Sequence, residues 1–248
     1  MIEIKNLTFR YPGNAEPVLR DLSVSFPEAS CTVLMGANGS GKSTLARCMN
    51  GLLLPATGSV FVDGLDTSDE SQVRAVRQKV GVVFQDPFAQ MTSTTIEREL
   101  AFGLENLALP PAEMHERVTH YLSLFGFRER RNEAPSNLSA GEMQRLALAS
   151  VLILKPRYLV LDEATSLLSA RSRSHMLELV DDIRRSLKIG VLLITQFPAE
   201  ALPHDRLIVL SRGKILFDAS PPEVFAHVRE LISVGVSVPL KSRLMGEV

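Results

Sequence analysis

The 248 residues are 45% hydrophobic and 22% charged, with a formal net charge of -1 and a pI near 6.5. A chain of this length buries a full core as one large domain or as a core with a subdomain. Balanced charge supplies no global basic field for nucleic acid or anionic lipid, and no apolar run approaches the roughly 18–20 residues of a membrane helix.

The opening MIEIKNLTF carries charges at alternate positions and reads as neither a signal peptide nor an anchor, so a cytoplasmic protein is expected. Cys31 and Cys48 lie in apolar surroundings without CxxC spacing and read as a buried, reduced pair. Ile2 and Ile4 alternate with Glu3 and Lys5, and Leu22, Val24 and Phe26 alternate with serines. This period of two, with a turn at Pro12-Gly13, predicts an antiparallel, half-exposed sheet. The pattern then changes to short continuous apolar runs at 32–35, 80–84, 158–161 and 191–194, which suit strands buried on both faces of a parallel sheet. Between the last two, Met176, Leu179, Val180, Ile183 and Leu187 share one helical face, so the strand–helix–strand order argues α/β.

Residues 86–150 read as a helical insertion between two core strands. Met114, Val118, Tyr121, Leu122 and Phe125 form a stripe preceded by Pro110-Pro111 and followed by Gly126. Arg206 to Asp218 reads as a hairpin turning at Arg212-Gly213. A short helix follows Pro221-Pro222. The expected division is a main domain over 1–222 and a C-terminal helical extension over 223–248.

Gly36-Ala37-Asn38-Gly39-Ser40-Gly41-Lys42-Ser43 fits G-x-x-x-x-G-K-[ST] between a buried strand and a helix. Its glycines let backbone N–H groups wrap phosphate oxygens, and the following helix adds its positive end. Lys42 is expected to reach the β- and γ-phosphates, and the Ser43 hydroxyl to ligate Mg²⁺. The strand ending Leu161-Asp162-Glu163 supplies a second half: a metal-orienting aspartate beside a possible base for water. ATP with Mg²⁺ is the expected ligand.

With these residues the sequence resembles the ATP-binding cassette ATPases over almost its whole length. Leu138-Ser139-Ala140-Gly141-Glu142 resembles the family's LSGGQ signature. In the family that segment reaches across a head-to-tail dimer to a phosphate held by the partner. Ser139-x-x-Glu142 is equally a helix-opening capping box, and both readings are compatible. The resemblance implies a RecA-like P-loop NTPase core with an antiparallel β subdomain and an inserted α-helical subdomain. It also implies nucleotide contacts from Tyr11, Gly36, Asn38, Gly39, Ser40, Gly41, Lys42, Ser43, Thr44, Ser139 and Gly141. Mg²⁺ falls to Ser43, Gln85 and Asp162, and catalytic roles to Glu163, Gln85 and Gln196.

The stretch from Phe84 to Gln90, then Ser93-Thr94-Thr95 and 101–106, is similar to the FQNPDNQ…STT…AFGLEN segment of the ATPase subunits of energy-coupling-factor transporters, with departures at Asp86, Phe88 and Ala89. That likeness implies import of a vitamin or transition-metal ion. It implies a second ATPase subunit, in a homo- or heterodimer, together with a membrane coupling subunit and a substrate-binding membrane subunit. The implied location is the cytoplasmic face of the membrane. No nucleic-acid partner is expected, and the chain lacks the coiled-coil insertion or second cassette usual in soluble relatives of DNA repair or translation.

Three departures bear on mechanism. Gln196 replaces the family's switch histidine; its amide can donate to the γ-phosphate but carries no titrating proton near neutral pH. No other histidine substitutes for it, and His204, in the next loop, is expected to face solvent. Ser169 stands where the family has an interface carboxylate, and Glu142 and Ala140 alter the signature. Gln196 and Ser169 together lead to the alternative expectation of a nucleotide-gated, hydrolysis-impaired partner in a heterodimeric pair.

Overall fold

A computed structural model describes residues 1–242. The alternating N-terminal segments become β1 (Ile2–Phe9) and β2 (Leu19–Phe26). After β3 (Cys31–Met35) and α1 (Lys42–Met49), the chain adds β4 (Thr57–Val62) and β5 (Leu65–Asp66), closing an antiparallel sheet in the order β2-β1-β4-β5. Ile2 faces Phe26 on one side and Val62 on the other, and although the register shifts beyond Ile4 and Lys5, Ile2, Phe26 and Val62 are all buried on one face.

The rest of the chain builds the parallel layer. It runs through α2 (Val73–Lys79), β6 (Val80–Val83), α3 (Ile96–Glu105), α4 (Pro111–Leu124), α5 (Ala140–Leu152) and β7 (Tyr158–Asp162). Then come α6 (Ala170–Leu187), β8 (Gly190–Ile194), α7 (Pro198–Ala201), β9 (Arg206–Ser211) and β10 (Lys214–Ala219). The second sheet has the order β10-β9-β3-β8-β7-β6, parallel except for the terminal hairpin. Its central strands β3, β8 and β7 are buried on both faces because alternate side chains enter two different cores. Val33, Leu159, Leu161 and Leu193 meet the helical side, while Leu34, Val160, Leu192 and Ile194 meet α1 and the antiparallel sheet.

The helical insertion lies between the adjacent strands β6 and β7, with α5 running on to Leu152. Met143, Leu146, Leu148 and Leu152 of α5 are buried, each fully buried side chain contributing about 1.5–3 kcal/mol. At the C-terminus, α8 (Pro221–Phe225) begins before the boundary expected at residue 223. With α9 (Val228–Ser233) it places Val224, Phe225, Leu231 and Val236 in the same core as the parallel sheet, so the extension is packed onto the main domain. Residues 243–248 of that expected extension lie outside the described residues.

Asp63, in the turn after β4, staples the two sheets together. Its Oδ1 accepts from the Tyr158 hydroxyl at 2.6 Å and its Oδ2 from Lys79 and Arg157 at 2.7 and 2.8 Å. Burial alone would raise this carboxyl, but the bonds from Lys79, the Met1 ammonium and Tyr158 outweigh it and hold it well below the usual carboxylate range. A depressed native value stabilises the fold fully above the unfolded value of about 4, and the contribution falls away below that pH as the unfolded carboxylate takes up its proton. Asp63→Asn is therefore expected to cost about 1–3 kcal/mol in urea unfolding at pH 7, with the gap from wild type narrowing below about pH 4.

Candidate nucleotide site

The loops leaving β3, β8 and β7 meet at the carboxyl ends of three consecutive parallel strands, the position where open α/β sheets bind ligands. The β3 loop carries the glycines. A Cβ on Gly36 would lie 2.4 Å from the Leu210 carbonyl oxygen and 2.6 Å from Ser40 Oγ, so only glycine fits. Gly41 has φ +109, a conformation that L side chains rarely adopt, at the point where α1 begins. Gly39 also has positive φ, but its Cβ position is open. Ser40 Oγ is buried with no hydrogen-bond partner among the described residues, a hydroxyl left for an incoming acceptor.

Lys42 opens α1 and is only 4% exposed. Its Nζ donates to the carbonyl oxygens of Gly36 at 2.8 Å and Ala37 at 3.1 Å, and lies 3.4 Å from Glu163 Oε1. Ser43 Oγ donates to Asp162 Oδ1 at 2.9 Å. Burial pushes the Asp162 carboxyl up, the Ser43 bond opposing and the Glu163 charge adding to the rise. Glu163 itself sits at φ 52, left-handed for a non-glycine residue, with its N–H on the Ile194 carbonyl at 3.1 Å. That backbone costs on the order of 1 kcal/mol and turns the carboxylate from the strand end toward Lys42.

Gln196 joins the loops. Its Nε2 donates to Asn38 Oδ1 and to Glu163 Oε2, both at 2.9 Å. Both amide hydrogens are committed, so the expected donation to a γ-phosphate requires one of these bonds to open first. Tyr11 lies near the start of α1, its hydroxyl 3.1 Å from Thr44 Oγ1 and its ring edge-on to Phe9 at 4.9 Å.

Other expected site residues make no hydrogen bond to this cluster among the described residues. Gln85 is exposed beyond the end of β6 and makes no hydrogen bond to Asp162 or Glu163 among the described residues. Ser139 and Gly141 lie at the start of α5, where Ser139 and Glu142 form a full capping box. Ser139 has no hydrogen bond to the phosphate loop within the described chain; its bonds go to Glu142. Ser169 caps α6, accepting from the Ser172 N–H at 3.3 Å, which gives that position a local role without a carboxylate. His204 is a correction: its ring is half-buried, with Nε2 3.8 Å from Cys31 Sγ, and burial pushes its pKa down. Cys48 is buried as expected, while Cys31 is only partly so; neither forms a disulfide.

Sequence reading gave no role to Gln144 and Glu99, and took Gln90 only as a matched position. Gln144 Nε2 donates to the Phe84 carbonyl at 3.1 Å, and Gln90 Oε1 accepts from the Phe84 N–H at 2.9 Å, fixing the chain just before Gln85. Buried Glu99 accepts from the N–H groups of Thr92 and Ser93 at 2.9 and 2.8 Å. Polar residues inside an otherwise apolar helical pattern were the available signal. A cavity of about 820 Å³ beneath α6 lies away from this chemistry, lined by Leu177, Arg184 and His204 among others.

The ABC transporter family profile matches residues 19–166, spanning the loop, the signature and the acidic strand end. The energy-coupling factor transporter ATP-binding protein EcfA of Syntrophomonas wolfei is 40% identical over 248 residues, covering 100% of this chain and 91% of that protein. The chain is an ABC transporter ATPase of the energy-coupling factor kind. EcfA1 of Clostridium perfringens is 38% identical, covering 100% of this chain and 89% of that protein. Among solved structures, CbiO1 from Clostridium perfringens, part of the ABC transporter complex CbiONQ, is similar at 28% identity and a TM-score of 0.82, covering 100% of this chain and 98% of that one. A dimeric ATP-binding cassette in a post-hydrolysis state, bound to ADP and Pi, matches at 25% identity and a TM-score of 0.81, covering 89% of this chain and 99% of that one. The P-loop NTPase fold, nucleotide binding and the ATPase activity follow from this membership.

Proposed function

We infer that this cassette powers import of a vitamin or transition-metal ion, working as one half of a composite ATP site on the cytoplasmic face of a membrane assembly. The observation that carries the reading is the meeting of Lys42, Glu163 and Gln196 at 3.4 and 2.9 Å beside a glycine cradle. The site fits a Mg²⁺-bound triphosphate. The Ser40 hydroxyl is unpartnered, and the Ser43 hydroxyl and Asp162 carboxylate form an oxygen donor pair suited to a hard cation. Ser43 and Asp162, joined by Gln85, would hold Mg²⁺, which supplies neutralisation of phosphate charge when bound.

In this reading Lys42 exchanges its carbonyl and Glu163 partners for phosphate oxygens, which frees Glu163. That carboxylate then takes a proton from water as the water oxygen attacks the γ-phosphorus and the bond to the β-phosphate bridge breaks, leaving ADP and phosphate. Gln196 holds Glu163 and Asn38 in place for the attack. Tyr11 would stack on the adenine ring, its hydroxyl held 3.1 Å from Thr44 Oγ1. Among the described residues Ser139 makes no hydrogen bond to its own phosphate loop, and in this reading Ser139 and Gly141 would serve the nucleotide of an opposed cassette, in a homo- or heterodimer.

Partner docking has its own supporting observation. Phe88, 57% exposed, and Phe102, 51% exposed, stand out on the helical insertion in the segment that Gln90 and Glu99 brace. Such aromatics favour a helix of a membrane coupling subunit, which in turn holds a substrate-binding membrane subunit. The described residues include no helix long and apolar enough to cross a membrane.

The second reading, a hydrolysis-impaired partner, is favoured by the uncharged, fully committed Gln196 amide. Single-turnover hydrolysis at this chain's own site separates the two. On the leading reading the wild type turns over and Glu163→Gln is slowed at least tenfold with nucleotide still bound; full activity in that variant refutes the assignment of the base. Phe102→Asp is expected to abolish co-purification of membrane subunits with a tagged chain while leaving the melting temperature within a few degrees, and retained co-purification contradicts the docking surface.

A further inference from the structure

The signature segment is already occupied from within. The Ser139 hydroxyl donates to Glu142 Oε2 at 2.7 Å and the Ser139 N–H donates to the same oxygen at 2.9 Å. These are donors that a phosphate arriving at the start of α5 would need. Glu142 stays ionised down to about pH 2, chiefly because of the Ser139 bonds, with Arg130 adding to them. Its other oxygen, Oε1, accepts from Arg130 Nη1 at 2.6 Å, while Nε and Nη2 of the same guanidinium grip Glu133 Oε2 at 3.0 and 2.8 Å. Arg145, a turn further along α5, lies over the Phe127 ring at 5.6 Å, leaving Arg130 the one arginine bonded to Glu142 among the described residues.

Two consequences follow from charge and geometry. A triphosphate meeting this helix start encounters a fixed negative charge, and the Ser139 hydroxyl must leave that carboxylate before it can donate to phosphate. Arg130 neutralises the carboxylate and bridges it to Glu133. A glutamine at the same position would keep the cap, since both Glu and Gln complete a capping box, but would remove the charge.

We propose that Glu142 sets how tightly this chain's signature holds the nucleotide of the opposed cassette, and that Arg130 is the positioning residue that anchors the Glu142 carboxylate and neutralises its charge. This rests on the composite-site reading above. The test is the ATP dependence of turnover by the complex isolated from membranes with a tagged chain. Glu142→Gln is expected to lower KM for ATP at least threefold, with kcat within twofold. Arg130→Ala is expected to raise KM at least fivefold when Glu142 is present and less than twofold in the Glu142→Gln background. Arg130→Lys, which keeps the charge but loses the fork, should fall between, and guards against a folding defect in the alanine variant. An unchanged or raised KM for Glu142→Gln overturns the proposal, as does an equal Arg130→Ala shift in both backgrounds. Ser139→Ala keeps the two readings apart. If it raises KM while the Glu142 and Arg130 variants leave KM unchanged, only the present inference fails; if it has no effect, the composite site itself fails.

Discussion

Everything in the nucleotide site is arranged around one buried charge contact, Lys42 against Glu163. Burying an ammonium and a carboxylate together is costly unless each is also hydrogen-bonded, and here each is. Two carbonyl oxygens of the phosphate loop hold the lysine, and the Gln196 amide holds the glutamate. Removing either charge would strand the other. Supplying a competing anion would instead let the lysine change partners, because a phosphate offers the same charge with more acceptors. The contact is therefore suited to exchange, and what exchange would release is the carboxylate proposed above as the base.

The fold exists to bring these two residues together. Lys42 follows β3 and Glu163 follows β7, with β8 between them. Parallel pairing puts all three carboxyl ends on one edge, and the left-handed turn at Glu163 aims its side chain across the gap that β8 leaves. Gln196, at the end of β8, fills that gap. An amide with two hydrogens can bridge Asn38 and Glu163 at once; an imidazole nitrogen has one hydrogen and cannot. The replacement at this position thus has a geometric content that its lack of charge alone does not convey.

Much of this was legible in the residues. Period-two alternation located the antiparallel sheet, continuous apolar runs located the parallel one, and the spacing of Gly36, Gly41 and Lys42 located the loop, because each pattern reflects a local physical demand. Non-local matters were not legible. That Gln196 spends both hydrogens inside the chain, that Arg130 reaches Glu142, and that His204 folds in against Cys31 depend on which loops meet. The same limit hid Glu99 and Gln144, whose buried polar groups serve backbone far from them in sequence or around a turn. The start of the short helix shifted for a related reason: Pro221 opens a helix by pre-setting its first turn, so the proline pair lies inside the element it was expected to precede.

The direct test of the Lys42 exchange is the affinity of the isolated chain for ATP, measured by titration calorimetry for wild type and Glu163→Gln. If nucleotide must take Lys42 from Glu163, neutralising the carboxylate leaves less to displace, and the variant should bind at least threefold more tightly. Equal or weaker binding would contradict the exchange and leave the buried pair with a purely structural role.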